Sequence, residues 1–175
     1  METLYINRPN QYAIYKGIKG NNGAIQFNLI PFDPARANVD DDRKLQEKDK
    51  KGWLLIDAAS ASGPNQYDWS TDIKFSMSET DIGKFLVGIG RMGSEGDTLV
   101  NIFHKHEKTG ATKKLIITQG RVYQGNPTWM FALLCTDSTG TRNVNVPISK
   151  DEMLVLKLLL EAAVPSILGW SARSV

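Results

Sequence analysis

Lysine and arginine alternate with aromatic residues along much of the chain: Tyr12, Tyr15, Lys16, Lys19, Lys51, Trp53, Tyr67, Trp69, Lys74, Phe103, His104, Lys105, Lys108, Lys113, Lys114, Arg121, Tyr123 and Trp129. This mixture suits single-stranded nucleic acid. A flat ring stacks on an exposed base for about 1–3 kcal/mol, ammonium groups follow the phosphates, and neither contact needs a particular base. The same residues also suit a protein-interaction domain whose aromatics are core or interface side chains, and the pattern alone leaves both readings open. The overall balance of 21 Lys plus Arg against 19 Asp plus Glu, a formal charge of +2, decides nothing.

Catalytic and metal-binding constellations are scarce. His104 and His106 form an H-x-H pair, but no third ligand has characteristic spacing, so two polar residues at a strand end is the favoured reading. Cys135 has no motif around it and reads as a small buried hydrophobe; with one cysteine there is no internal disulfide, which favours a reducing compartment. Gly88-Ile89-Gly90-Arg91-Met92-Gly93 follows a helix instead of opening one after a strand, so it reads as a helix terminator and not a phosphate loop. Asp40-Asp41-Asp42 lacks the alternating ligands and glycine of a calcium loop. The expectation is a protein that is not an enzyme, with no metal and no cofactor.

The elements that would hold these residues come in two similar halves. Strand-like runs lie at Tyr12 to Ile18, Ala24 to Pro31, Gly52 to Ala59 and Asp72 to Met77, then at Thr98 to Lys105, Lys113 to Gln119, Thr128 to Thr136 and Arg142 to Pro147. Asn22-Gly23 is a hairpin signal, Ser60 to Asn65 reads as a turn, and Phe32 to Lys51 brackets a charged stretch expected to be a mobile loop, residues 33–51. Each half closes on a helix announced by a capping box, Ser78-Glu79-Thr80-Asp81 and Ser149-Lys150-Asp151-Glu152. The expected class is α+β, ββββα repeated, in one domain spanning 1–175.

The two helices differ. In the first, Ile82, Phe85, Leu86 and Ile89 make one apolar stripe. In the second, apolar residues from Met153 to Val164 wrap nearly the whole circumference, interrupted only by Lys157 and Glu161. That run is shorter than the roughly 20 residues of a membrane span. A homo-oligomer built on this helix is one way to bury the excess; the other is that Ile167, Leu168 and Trp170 fold back after a break at Pro165.

Several strings are less generic. Tyr12-Ala13-Ile14-Tyr15-Lys16-Gly17, Lys51-Gly52-Trp53-Leu54-Leu55, Gln66-Tyr67-Asp68-Trp69-Ser70, Phe75-Ser76-Met77-Ser78 with Asp81-Ile82-Gly83, Val146-Pro147-Ile148-Ser149-Lys150-Asp151-Glu152 and Pro165-Ser166-Ile167-Leu168-Gly169-Trp170, taken in order, resemble the Whirly family of single-stranded DNA-binding proteins. The resemblance runs from about Tyr12 to Trp170. It implies two four-stranded antiparallel sheets each followed by a helix, four protomers joined through a helical core, and binding of single strands with little sequence preference between neighbouring subunits. It further implies roles in genome maintenance, replication, recombination or repair, or in transcription regulation; relatives of the same fold that bind guide RNA give an RNA-binding or annealing protein as the alternative. The family's Lys-Gly-Lys-Ala-Ala string stands here as Lys16-Gly17-Ile18-Lys19-Gly20, which displaces the second lysine by one position and, on a strand, to the other face.

On this reading Tyr15, Trp53, Tyr67 and Trp69 are the stacking candidates, and Lys16, Lys19, Lys74, Lys105, Lys114 and Arg121 the phosphate candidates. Binding to duplex DNA would require a basic helix face for the major groove, and neither helix carries one. The first residues show neither a basic and apolar signal nor an Arg/Ser-rich transit segment, so the expected location is the cytoplasm of a bacterial or phage-infected host, with a processed mitochondrial or plastid protein as the alternative.

Overall fold

A computed structural model describes residues 10–17, 22–33, 51–91 and 93–170. The charged stretch, apart from its ends, and Lys19 lie outside them. Among the described residues the first sheet is β1 (Gln11–Tyr15), β2 (Gly23–Ile30), β3 (Trp53–Gly63) and β4 (Gln66–Met77), paired antiparallel in chain order and followed by α1 (Glu79–Ile89). The second is β5 (Thr98–Lys105), β6 (Thr112–Gln119), β7 (Trp129–Asp137) and β8 (Gly140–Ile148), again in chain order, followed by α2 (Lys150–Leu168).

Period-two alternation decides which side chains face in. Across the first sheet the register aligns Tyr12, Phe27, Ile56 and Phe75 in one row and Ile14, Ile25, Ala58 and Ile73 in the next. Across the second, Ile102, Leu115, Leu133 and Val144 line up beside Val100, Ile117, Phe131 and Val146. These rows form one core. Phe27 meets Phe131 edge to face at 5.9 Å, tying sheet to sheet. The outer faces hold the intervening residues, among them Gln26, Asn28, Asp57 and Lys74 on the first sheet and Phe103, Lys105 and Lys114 on the second.

The expected turn from Ser60 to Asn65 is strand instead. β3 and β4 run on to a two-residue turn at Pro64 and Asn65, where Asn65 adopts φ 55°. Register shifts between Ala58 and Ser60 and between Ala61 and Gly63 interrupt the ladder, and such bulges bend a hairpin. The bent tip lies over the end of β1: Ala61 N–H donates to the Asn22 carbonyl (2.9 Å) and Asn65 N–H to the Gly17 carbonyl (3.1 Å). Alternation alone cannot locate such a bend, because a bulge shifts the period.

Both capping boxes form. Ser78 and Ser149 accept from the backbone N–H of Asp81 and Glu152, whose carboxylates accept in return from the serine N–H groups at 3.2 and 2.9 Å. α2 buries Met153, Leu156, Leu160, Ala163 and Ile167, spaced three and four apart. It does not break at Pro165, because a proline in the last turn costs little of the helical ladder. The carbonyls left over at that end are satisfied instead by Phe32 N–H on Ser166 (2.9 Å), Gly52 N–H on Ile167 (3.0 Å) and Trp170 N–H on Pro165 (2.8 Å), with Gly169 at φ 72° as the left-handed cap. Trp170 is 78% exposed, so the fold-back over the second apolar face does not happen. Leu154, Val155, Leu158 and Leu159 remain 42–57% exposed.

Candidate nucleic-acid interface

Tyr15, the last residue of β1, points outward and is 38% exposed. Its hydroxyl accepts from Gln26 Nε2 at 3.2 Å, and Gln26 accepts in turn from Gln11 at 3.0 Å. The bent hairpin brings Tyr67 against it, with ring centroids 5.4 Å apart and planes at 47°. The approach depends on Gly17, since a Cβ there would lie 2.6 Å from the Tyr67 hydroxyl. Two stacking candidates far apart in sequence thus form one aromatic platform. Trp53 opens β3 and Trp69 lies within β4, not in a loop, and both are half-buried.

The cations fall into two groups. Lys16 Nζ pairs with Glu152 Oε1 at 2.7 Å, joining the end of β1 to the first turn of α2. Burial by itself would raise the Glu152 carboxyl, but hydrogen bonds from Lys16 and the Ser149 backbone outweigh it and hold the group below its ordinary value. Lys74 is clamped between Asp72 (2.7 Å) and Asp57 (3.1 Å), which raises its pKa through those two hydrogen bonds. Arg121 pairs with Glu95 at 3.0 Å in the β6–β7 connection. Lys105 and Lys114, on the outer face of the second sheet, have no ion pair among the described residues. Lys114 sits opposite Phe103, which is 55% exposed.

Where the end of β4 meets the β5–β6 hairpin, Lys74, Ser76, His104, Lys105, His106 and Lys113 line a cleft of 360 Å³. Of the candidates, this cleft gathers Lys74 and Lys105. Tyr15 lies on the outer face at the β1 edge of the first sheet, Lys16 beside it turns to the α2 side, and Arg121 lies past the far end of β6 from Lys113. Lys113 was legible as part of the basic and aromatic alternation, and its register partner His104 puts it at the cleft. Ser76 carried no sequence signal.

The histidines do other work. His104 stacks on Phe75 at 4.4 Å with planes 10° apart, and its Nε2 lies 3.1 Å from Asp81 Oδ2 in the α1 capping box. His106 Nδ1 accepts from Thr109 N–H at 3.2 Å in the following turn. Among the described residues no three His, Cys, Asp or Glu gather to hold a metal. Cys135 is buried, as expected of a small apolar residue.

Two meandering four-stranded sheets, each closed by a capped helix, with aromatics and lysines on outer faces and rims, define a two-sheet α+β domain. The model of the family described as Whirly transcription factor matches residues 14–159, and the chain belongs to that family. It is similar to the chloroplastic single-stranded DNA-binding protein WHY3 of Arabidopsis thaliana, 34% identical over 134 residues, which cover 70% of this chain and 46% of that protein. It is also similar to the mitochondrial single-stranded DNA-binding protein WHY2 of the same plant, 25% identical over 166 residues, covering 91% of this chain and 63% of that one. Among solved structures, the plant transcriptional regulator PBF-2 superposes with a TM-score of 0.68 at 26% identity, over 91% of this chain and 82% of that one. The crystal structure of WHY3 from Arabidopsis thaliana gives 0.68 at 27%, over 92% and 89%.

The chain thus spans 46% and 63% of the lengths of those two curated relatives. Both curated relatives are single-stranded DNA-binding proteins. They are proteins of chloroplasts and mitochondria, which overturns the expected bacterial or phage-infected cytoplasm and points to an organelle. The character of the first residues does not argue against an organelle, because a transit segment removed on import leaves no trace in the residues that remain.

Proposed function

We propose that this chain binds single-stranded DNA with little base selectivity, as a homo-oligomer, most simply a tetramer, and shields exposed strands during replication, recombination or repair of an organellar genome, with a further part in transcription regulation. The observation that carries the reading is the conjunction of an outward tyrosine pair, Tyr15 on Tyr67, with the lysine-lined cleft at Lys74, Lys105 and Lys113. Bases take the rings and phosphates take the ammonium groups. The names of the relatives support single-stranded DNA as the ligand. The uncovered Leu154, Val155, Leu158 and Leu159 face supports self-association through α2. Trp53, Trp69, Lys16, Lys114 and Arg121 complete the proposed contact set, together with Lys19, which lies outside the described residues.

Titration of tryptophan fluorescence with oligo-dT at several salt concentrations tests this. Quenching with a steep inverse dependence on salt is expected, from counterion release at each phosphate contact. A matched duplex binding as tightly as oligo-dT, or no binding even at low salt, would refute the proposal; tighter binding of a matched RNA strand would replace it with an RNA-binding role.

A further inference from the structure

The cleft at the β5–β6 hairpin lies on the rim of the second sheet and draws its groups from both faces. Lys105 is on the outer face with Phe103 and Lys114, whereas Lys113 and its register partner His104 fall on the inner side with Ile102 and Leu115. Lys74 and Ser76 of β4 supply the facing wall, and the β5–β6 turn contributes Thr109 and Ala111. Among the described residues no Asp or Glu lines the cleft. Lys74 is held by Asp57 and Asp72, and Asp81 faces His104, but among the described residues Lys105 and Lys113 have no ion pair. At 360 Å³ the cleft has the size of a small-ligand pocket, enough for one nucleotide end and not for a run of strand.

His106 adds a donor whose tautomer is set by its neighbours. Thr109 N–H donates to Nδ1 at 3.2 Å, so the neutral ring carries its proton on Nε2. The cleft thus combines two ammonium groups that no carboxylate engages with an imidazole N–H. A terminal phosphomonoester suits such a donor set better than a phosphate inside a strand. It carries close to two charges and three acceptor oxygens, whereas each internal phosphate carries one charge. Phe103 is 55% exposed and precedes Lys105 by two residues on the same face, about 7 Å along the strand. One end nucleotide can therefore lay its base on Phe103 while its phosphate enters the cleft.

We propose that the rim cleft receives the terminal phosphate of a DNA strand, with the end base stacked on Phe103, so that the protein recognises phosphorylated strand ends as well as strand interiors. The inference rests on the single-stranded DNA reading above. It adds to that reading a ligand class, the phosphomonoester, and two contacts, His106 and Phe103.

The test is displacement of fluorescein-labelled oligo-dT from the full chain by unlabelled oligo-dT of about eight nucleotides, bearing a 5′-phosphate, a 3′-phosphate or hydroxyls at both ends. A hydroxyl-ended strand one nucleotide longer controls for added charge. One of the phosphorylated strands is expected to compete about tenfold better than either hydroxyl-ended strand, the gain of a charge-assisted contact. Taking this ratio within each variant cancels a general loss of affinity, and binding of the hydroxyl-ended strand shows that the variant is folded. Lys113→Ala should abolish the advantage, and His106→Ala and Phe103→Ala should each cut it severalfold. Equal competition by the phosphorylated strands and the longer hydroxyl-ended one overturns end recognition and leaves the single-strand reading standing. Failure of the labelled probe to bind removes that reading and this inference together. An advantage unchanged by the three substitutions refutes the cleft as its source. Thymidine 5′-monophosphate displacing the probe at the same concentration as the phosphorylated strand also refutes the proposal, by making the cleft a free-nucleotide site.

Discussion

Replacing Leu154 by Glu and Leu158 by Lys separates folding from association, because both leucines are 57% exposed while the core-facing stripe of α2 runs through Met153, Leu156, Leu160, Ala163 and Ile167. Fully burying such a side chain is worth about 1.5–3 kcal/mol, so the half that stays in water within the protomer leaves about 1 kcal/mol per leucine for an interface. Two leucines give about 2 kcal/mol per protomer, roughly thirtyfold in an association constant, before the cost of desolvating the new charges. The helix itself should tolerate the change, since Glu four residues before Lys is the favourable order for an exposed pair. Light scattering after size exclusion should show the parent chain as an oligomer and the double variant as a monomer at the same concentration. Far-ultraviolet circular dichroism should show helix retained, with a melting temperature that no longer rises with protein concentration. An unchanged mass would refute association through this face, and loss of the folded signal would refute the assignment of both leucines to the outside.

Tyr15→Ala and Tyr67→Ala should each weaken oligo-dT binding by about 1–3 kcal/mol with the salt slope unchanged; a changed slope with intact affinity would reverse their assignment as stacking groups. Lys105→Ala and Lys114→Ala should instead flatten the slope of log K against log salt by about 0.7 for each phosphate contact removed, and an unaltered slope would remove them from the interface. Gly83→Ala should raise stability by roughly 0.5–1 kcal/mol, read as a melting temperature about 1–4 °C higher, because its Cβ meets nothing in the protomer. The Glu152 carboxyl is lowered in the folded chain, so its contribution is present above its unfolded value near 4.5 and is lost as pH falls through the folded value. Urea unfolding should therefore show Lys16→Met destabilised at neutral pH, with the gap to the parent closing as pH falls from 4.5 through the lowered folded value; a gap independent of pH would mean that the pair contributes nothing through charge.

The strands and both helix starts were legible because their signals are local. Alternation marks a strand face, and a serine three residues before an acid marks a helix start, so Ser78 and Ser149 needed no tertiary information. What sequence could not supply was anything set by a bend or a register. Tyr15 and Tyr67 are neighbours only because the bulges after Ala58 turn the β3–β4 hairpin back over β1. Pro165 looked like a break because its effect depends on how near the helix end it lies, and that end is fixed by Phe32 and Gly52 donating to carbonyls of the last turn. Lysine spacing likewise says nothing of which ammonium groups are already engaged.

That last distinction bears on where a strand would lie. Lys16, Lys74 and Arg121 face carboxylates within 3.1 Å, so a phosphate reaching any of them must compete with Glu152, Asp57, Asp72 or Glu95. Lys105, Lys113 and Lys114 face no such competitor among the described residues. The tyrosine pair is on the first sheet and the unengaged lysines are on the second, where the exposed Phe103 opposite Lys114 is the aromatic beside them. A bound strand that uses both must cross from one sheet to the other, with bases on the Tyr15 side and backbone on the Lys105 side. If copies associate through α2, that crossing can also run from the first sheet of one protomer to the second sheet of its neighbour, and loss of association would then weaken DNA binding without touching a single contacting residue.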